Sequence, residues 1–210
     1  CSTDDTAKKL QLVAGRYFQK TKYIINENEK NIGAGKSRNR GIELASKEYL
    51  IFLDSDDEFE ANFYERIISI LSRKKYDCVC FDAVHKFKNK NRYLKMFFTS
   101  SITEGEISTY DALVYIRGCT WGKVYKTSII SHNNLTFSDI PIDEDLVFTK
   151  SAVSYCENIY YLECVLYIYN DNESSLMHRY QALGGDIEEK AFNQIHSRID
   201  KNRFYDELNS

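Results

Sequence analysis

Apolar and polar positions recur along the first 85 residues in the two periods that distinguish helices from strands. The predicted order is a helix starting near residue 2, a strand at 22–26, a helix ending near 45, a strand at 48–53, a helix at 63–71 and a strand at 76–84. The run at 48–53 is apolar, as in a strand covered on both faces. Alternating helices and strands predict an α/β fold with right-handed crossovers and a mostly parallel sheet flanked by helices.

The pattern changes after residue 85, where helices and strands no longer alternate regularly. The later features are a basic stretch at 86–95, a helix at 108–116, a short strand at 120–125, a helix at 143–155, a β-rich run at 159–169 and a charged helical tail from 187 onward. We therefore expect one domain over 1–210, with an α/β half at 1–85, an α+β half at 86–180 and a helical tail at 181–210.

Composition narrows the class of protein and its partners. The length of 210 residues suits one domain, and 43% hydrophobic residues supply a packed core. A formal net charge of −3 gives no general attraction to phosphate backbones, so nucleic acid is not an expected partner. Six cysteines without a CxxC pair indicate reduced core thiols, which predicts a cytoplasmic protein. No apolar run reaches the ~20 residues of a membrane span.

Three carboxylates follow the predicted strand at 48–53 directly, at Asp54, Asp56 and Asp57. In open α/β sheets, ligands bind at the carboxyl ends of the strands. Crowded carboxylates repel one another unless a cation lies among them, and Mg²⁺ or Mn²⁺ prefers such oxygen ligands together with phosphates and water. An acidic turn before the next helix would contain the same residues. The triplet alone leaves both interpretations open.

A longer pattern surrounds the triplet. Residues 31–45 contain N-x-G-x-x-x-x-R-N-x-G-I-x-x-A, and the strand with D-S-D-D follows at 48–57. This stretch resembles the core of family-2 glycosyltransferases, which have a GT-A fold. Further matches follow in that family's order, at Cys1-Ser2-Thr3-Asp4-Asp5-Thr6, Cys119-Thr120-Trp121-Gly122-Lys123-Val124-Tyr125, Asp143-Glu144-Asp145 and Leu166-Tyr167-Ile168-Tyr169-Asn170 with Ser174-Ser175-Leu176. Cys1 stands where the family usually has Gly, and the resemblance implies that the first strands of the sheet precede it.

The resemblance assigns roles on the donor side. It implies a Rossmann-like nucleotide-diphospho-sugar transferase in which Asp54 and Asp56 occupy the DxD position, binding Mg²⁺ or Mn²⁺ and the donor. Asp57 is a weaker candidate. The resemblance also implies that Asn31 and Arg38 lie near the donor diphosphate, where Arg offers charge-assisted contacts to phosphate. A turn Asn and a solvated helix Arg are their alternative roles.

The resemblance also assigns roles on the acceptor side. Asp145 matches the general base, and Glu144 is the second candidate, although both also suit the start of a helix. Acceptor binding is implied for Trp121 and Lys123, and a core anchor is the alternative role of Trp121. The basic residues at 86–95 suit either a solvated face or contact with an anionic membrane surface.

Several hypotheses of function follow. The first is an inverting, metal-dependent glycosyltransferase that moves a sugar from a UDP-sugar donor to a saccharide or lipid-linked hydroxyl acceptor in polysaccharide or glycolipid synthesis, at the inner face of the membrane. Its donor and metal half is 1–85, and its acceptor half is 86–180. The second is a non-catalytic or truncated binding domain, motivated by the expected upstream strands. A third, a divalent-metal phosphotransferase or nucleotidyltransferase, would keep the Asp cluster but not the pattern of Trp121 and Glu144-Asp145.

Overall fold

The computed structural model describes residues 5–17, 22–87, 90–140, 143–171 and 186–199. It divides into two compact units, Cys1–Ala45 and Ser46–Ser210. The first unit contains α1 (Thr6–Tyr17) and α2 (Ala34–Leu44), which agree with the two helices predicted there. The predicted helix start at Ser2 and the Ser174-Ser175-Leu176 motif lie outside the described residues.

The predicted strand at 22–26 is wrong, because these residues form irregular backbone. Tyr23 and Ile24 are 49% and 52% exposed. No strand among the described residues pairs with this segment. An extended segment without a neighbour leaves its backbone groups to solvent, so β-type composition alone does not make it a strand.

The second unit carries the sheet and the other helices. In chain order its elements are β1 (Tyr49–Ile51), β2 (Glu58–Phe59), α3 (Phe63–Leu71), β3 (Cys78–Phe87), β4 (Lys90–Leu94), β5 (Gly105–Ile107), α4 (Thr109–Tyr115), β6 (Lys123–Lys126), α5 (Thr127–His132), α6 (Glu144–Ser154), β7 (Ile159–Asn170) and α7 (Asp186–Arg198). Every helix and strand predicted after residue 45 has a counterpart among them. In the described part of the chain, no helix is long and apolar enough to cross a bilayer.

The sheet is mixed, which corrects the expectation of a mostly parallel one. Its strands lie in the order β1-β6-β3-β7-β2, with β4 also beside β3 and β5 also beside β7. Among the described strands, β3 and β7 run parallel and the other pairings are antiparallel. The α/β class is confirmed. The antiparallel character comes from the second half of the chain, which supplies β4 as a hairpin partner of β3 and β6 as a partner of both β1 and β3.

β1 is an edge strand, and this explains a second difference from the sequence prediction. It pairs with β6 on one side only among the described strands, and its three residues are half-buried. Leu53, at the end of the apolar run 48–53, is 48% exposed. Complete burial of the apolar run 48–53 is therefore not observed in the described structure. The core lies instead around β3, β7 and α6, where Phe81, Leu166 and Phe148 are fully buried.

Asp82 is a fully buried carboxylate in the middle of β3. It accepts hydrogen bonds from the Tyr161 hydroxyl (2.8 and 2.9 Å), the Met96 backbone N–H (2.7 Å) and the Tyr93 hydroxyl. Burial raises the pKa of Asp82 above its ordinary value, although these donors lower it. The carboxylate therefore ties β4 and β7 to β3 in a way that depends on its protonation.

We expect the Asp82→Asn variant to change the pH dependence of stability. A pKa raised in the folded state gives a stabilisation that is fully present below the unfolded pKa and is lost as pH rises through the folded pKa. The stability of the variant relative to the parent should therefore be lowest in acid and rise with pH. Urea unfolding of both proteins between about pH 3.5 and 7 measures this difference. A difference that does not change with pH would contradict the titration of Asp82.

Candidate active site

The acidic residues after β1 form a tight turn at its carboxyl end. The Asp57 N–H donates to the Asp54 carbonyl oxygen at 3.1 Å, which closes the turn. Asp54 is half-buried and Asp56 is exposed, whereas Asp57 is only 7% exposed. The three carboxylates, adjacent in sequence, thus lie in different environments. We call residues 54–57 the acid turn.

Asp57 anchors the acid turn to the end of β7. Its carboxylate accepts the Tyr167 hydroxyl at 2.6 Å and the Asn170 backbone N–H at 2.9 Å. The same Tyr167 hydroxyl oxygen accepts the Asp54 N–H at 3.3 Å, and the Asn170 side-chain amide donates to the Asp56 carbonyl at 2.8 Å. Burial raises the pKa of Asp57 above its ordinary value, while its two donors lower it. The carboxylate of Asp57 therefore belongs to the scaffold of the turn.

Trp121 connects the acid turn to the loop at 117–122. Its ring stacks on Tyr167 with centroids 5.1 Å apart and 13° between planes, and on Tyr169 at 6.1 Å and 18°. Trp121 is 9% exposed. Stacking and burial give this residue the core-anchor role left open by its sequence. Its contact with an acceptor stays a prediction.

Lys123 is fully buried and holds the loop that carries Trp121. Its ammonium donates to the Cys119 carbonyl at 2.7 Å and to the Trp121 carbonyl at 3.2 Å. The Thr149 hydroxyl of α6 donates to the same Cys119 carbonyl at 3.0 Å. These bonds give Lys123 a positioning role within the protein, and the predicted contact with an acceptor is untested.

Asp145 lies in the first turn of α6, the helix that contacts this loop through Thr149. Its carboxylate accepts the Leu146 N–H at 2.8 Å, and it is half-buried, as is Glu144. The pKa of Cys119 is raised by burial and, to a smaller extent, by the negative charge of Asp145. Gly118 allows α6 to approach the loop closely, because a Cβ there would lie 3.2 Å from the Leu146 Cα. Contacts thus run from α6, through Leu146 and Thr149, to the loop, and from Trp121 to the acid turn.

Comparison with known proteins identifies the family of the chain. The family model described as "Glycosyl transferase family 2" matches residues 1–130 of the chain. The chain belongs to glycosyl transferase family 2. Among curated relatives, EpsH of Bacillus subtilis is 27% identical over 160 residues, covering 73% of this chain and 46% of EpsH. Poly(ribitol-phosphate) beta-N-acetylglucosaminyltransferase TarS of Staphylococcus aureus is 27% identical over 172 residues, covering 80% of this chain and 28% of TarS.

Solved structures of TarS give the fold of this family-2 chain. The S. aureus TarS 1–349 structure in complex with UDP-GlcNAc aligns with a TM-score of 0.76 at 21% identity, covering 94% of this chain and 55% of that one. The structure with UDP aligns with a TM-score of 0.68 at 22% identity, covering 93% and 57%. These alignments confirm the predicted GT-A-like α/β fold. The chain spans about half the length of the curated relatives it matches, 46% to 53% for the first three.

Asn31 and Arg38 lie in the first unit. The Asn31 side-chain oxygen accepts the Gly33 N–H at 3.0 Å, and Gly33, with φ 82°, precedes the first turn of α2. Arg38 lies on α2 and is half-buried. The Asn31 side chain therefore stabilises the turn in which Asn31 itself lies. Contact of either residue with a donor diphosphate remains a prediction for this family-2 chain.

The donor groups of the acid turn fit a hard divalent cation. Asp54 and Asp56 contribute two carboxylates to this turn, and the carboxylate of Asp57 accepts hydrogen bonds from Tyr167 and Asn170. Within the described ranges, no cluster of three or more His, Cys, Asp or Glu side chains could hold a metal by itself. Two carboxylates completed by substrate phosphates and water are the usual way in which proteins hold Mg²⁺. The site fits a cation that is bound together with its substrate.

The sequence motifs assigned no role to Tyr167 or Asn170, although both lie in the Tyr-x-Tyr-Asn motif at 167–170. The available signal was the Tyr-x-Tyr-Asn spacing at the end of an apolar strand, which places Tyr167 and Tyr169 on one face. That spacing does not tell which hydroxyl bonds to which carboxylate. The pairing spans more than a hundred positions along the chain and required the structure.

Proposed function

We propose that this chain is an inverting glycosyltransferase that moves a sugar from a UDP-sugar to a hydroxyl of a saccharide or lipid-linked acceptor, in polysaccharide or glycolipid synthesis. The observation that carries the proposal is the contact chain from the acid turn through Tyr167 and Trp121 to the loop at 117–122, against which α6, the helix of Asp145, packs. It joins the donor-side carboxylates and the candidate base in one unit. Family membership supports the reaction class, and the UDP and UDP-GlcNAc bound to TarS support the donor class.

Asp145 would act as the general base, with Glu144 as the second candidate. In an inverting transfer, the acceptor hydroxyl loses its proton as its oxygen attacks the anomeric carbon and the nucleoside diphosphate leaves from the opposite side. Asp145 takes that proton, which requires its carboxylate within hydrogen-bond reach of the hydroxyl. The loop at 117–122, fixed by Lys123, sets the surface against which the acceptor lies.

Asp54 and Asp56 would hold Mg²⁺ or Mn²⁺ together with the donor. When bound, the cation supplies positive charge to the departing diphosphate. The protein contributes a turn whose backbone is fixed before the donor arrives, since Tyr167 and Asn170 bind it from β7. A fixed turn keeps the two carboxylates from separating under their mutual repulsion.

A calorimetric titration with UDP tests the donor site. We expect the parent chain to bind UDP in the presence of Mn²⁺, and Asp56→Asn to weaken this binding by about tenfold or more, because a coordinating charge is lost. Glu65→Gln is the matched control, since it removes one negative charge from an exposed position on α3. No binding of UDP to the parent would favour the alternative of a non-catalytic binding domain. Equal loss in both variants would contradict a specific role for Asp56.

A cytoplasmic location and peripheral contact with the inner face of a membrane remain predictions. The β3–β4 hairpin supports such contact, since Lys86, Lys90 and Arg92 are exposed there. An anionic membrane attracts basic side chains by roughly 1 kcal/mol each near its surface. Lys90 and Arg92 also lie on the same face of the sheet as a row of aromatic rings. This arrangement indicates a different partner.

A further inference from the structure

Four aromatic rings in successive contact cross one face of the sheet, from the acid turn to the β3–β4 hairpin. Trp121 stacks with Tyr169 (6.1 Å between centroids), and two tilted contacts follow, Tyr169 with His85 (4.4 Å, 43° between planes) and His85 with Phe87 (3.7 Å, 42°). At the inner end, Trp121 also stacks on Tyr167, whose hydroxyl bonds to the acid turn. The outermost ring, Phe87, is 40% exposed. We call these four residues the ring line.

Two cations lie on the same face as the ring line. In the β3–β4 ladder, Arg92 is directly opposite His85, and Lys90 is directly opposite Phe87. Directly opposed residues of neighbouring strands project to the same face of the sheet. Tyr169 is the partner of His85 on the other side, in β7, so Arg92, His85 and Tyr169 form one row across three strands. Both cations are exposed.

The charge of this region opposes that of the whole chain. Residues 83–103 contain five Lys and Arg and no Asp or Glu, although the chain carries a net charge of −3. Asp171 places one negative charge beside the rings, with its carboxylate 3.5 Å from His85 Nε2. At the hairpin end of the ring line, away from the acid turn, the two cations outnumber this carboxylate. An extended ligand on this face would meet the exposed ring of Phe87, then the half-buried rings of His85 and Tyr169, with positive charge on one side.

Protection of a sheet edge does not account for this arrangement. β4 pairs with β3 on one side only among the described strands, and Lys or Arg on such an edge prevents pairing with other chains. Protection of the edge requires charged side chains on either face of the strand, and it does not require aromatic neighbours. It does not explain a line of rings that starts at the acid turn and ends at a ring as exposed as Phe87.

We propose that the ring line, together with Lys90 and Arg92, binds an anionic chain of sugars or polyols that bears phosphate, sulfate or carboxylate groups. The growing end of the chain lies at Trp121, and its negative groups pair with Arg92 and Lys90. Arg and Lys bind such groups through charge-assisted hydrogen bonds, and aromatic rings offer apolar surface to a sugar backbone. The proposal rests on the proposed function only in identifying this chain as the acceptor.

Two double variants separate this face from the charge of the hairpin as a whole. Lys90→Gln/Arg92→Gln removes two charges from the ring-line face. Lys86→Gln/Lys95→Gln removes two from the opposite face, where Lys86 is the partner of Asn91 and Lys95 pairs with Glu163 at 3.1 Å. The probes are a dextran sulfate oligomer, neutral dextran of equal length, and phosphatidylglycerol vesicles. Binding is measured by fluorescence anisotropy or sedimentation without UDP or Mn²⁺, and urea unfolding checks that both variants are folded.

We expect dextran sulfate to bind the parent more tightly than neutral dextran does. Lys90→Gln/Arg92→Gln should raise its Kd about tenfold, and Lys86→Gln/Lys95→Gln by no more than about twofold. Phe87→Ser should also weaken the binding of dextran sulfate. Phe98→Ser changes an exposed ring that stacks with Arg117 and does not belong to the ring line, so it should leave this binding unchanged.

Equal effects of the two double variants would overturn the proposal, because binding would then follow net charge alone. Binding to vesicles but not to dextran sulfate would also overturn it, in favour of a membrane surface. Failure of UDP to bind in the separate titration would remove the acceptor assignment and the glycosyl transfer. It would leave face-specific binding of dextran sulfate standing, so the two failures are distinguishable.

Discussion

Replacing Asp145 with Asn is expected to abolish sugar transfer while leaving Mn²⁺-dependent binding of UDP largely intact. Asn has the shape of Asp and keeps a side-chain oxygen that can accept the Leu146 N–H, so the start of α6 is preserved. It cannot take a proton from the acceptor hydroxyl. Loss of a general base reduces turnover by about 10²- to 10⁴-fold. Release of UDP in the presence of acceptor measures the effect, and calorimetry measures donor binding.

Glu144→Gln is the matched control for the base assignment. It removes the same charge one residue earlier on the first turn of α6. At both positions a carboxylate interacts favourably with the helix dipole. If dipole complementarity were the function of these acids, both variants would lose a few tenths to ~1 kcal/mol of stability and neither would lose transfer selectively. Transfer by Asp145→Asn at the rate of the parent would remove Asp145 from the mechanism. Selective loss in Glu144→Gln would move the base to Glu144.

The fold class was accessible from the sequence because hydrophobic periodicity depends on local spacing. α3 coincides with the predicted 63–71, and α4 and α6 begin at or next to predicted positions. Strand pairing is not a local property. The run at 22–26 has the composition of a strand but no neighbour among the described strands. The direction of β4 and β6 depends on which strands they meet, and single-sequence patterns do not contain that information.

The candidate site was accessible in part for the same reason. Asp54, Asp56 and Asp145 carry local motif signals, so their sequence neighbours mark them. The anchoring of the acid turn depends on Tyr167, which is 110 positions from Asp57. The burial of Lys123 was equally hidden, since a lysine after an aromatic turn gives no sign that backbone carbonyls surround its ammonium. Chemistry that depends on long-range contacts appeared only in the structure.

Tyr167→Phe is expected to weaken donor binding without any change in a group that touches the donor. The hydroxyl donates to Asp57 at 2.6 Å and accepts the Asp54 N–H at 3.3 Å. Its removal therefore eliminates two hydrogen bonds that hold the acid turn. The ring remains and keeps its stacking on Trp121. The buried Asp57 carboxylate loses one of its donors, which costs about 1–3 kcal/mol of folding free energy. We expect the Kd for UDP with Mn²⁺ to rise by about tenfold, because the carboxylates of the turn are no longer held in place.

Tyr160→Phe separates this effect from a general weakening of β7. Tyr160 lies on the same strand, and its hydroxyl bonds to Glu104 at 3.3 Å, away from the acid turn. That variant should leave the Kd for UDP unchanged. Urea unfolding and calorimetry on both variants give stability and donor affinity independently. If Tyr167→Phe lost stability but bound UDP as the parent does, the bond to Asp57 would serve folding alone. The carboxylates of Asp54 and Asp56 would then not need a fixed turn to bind the donor.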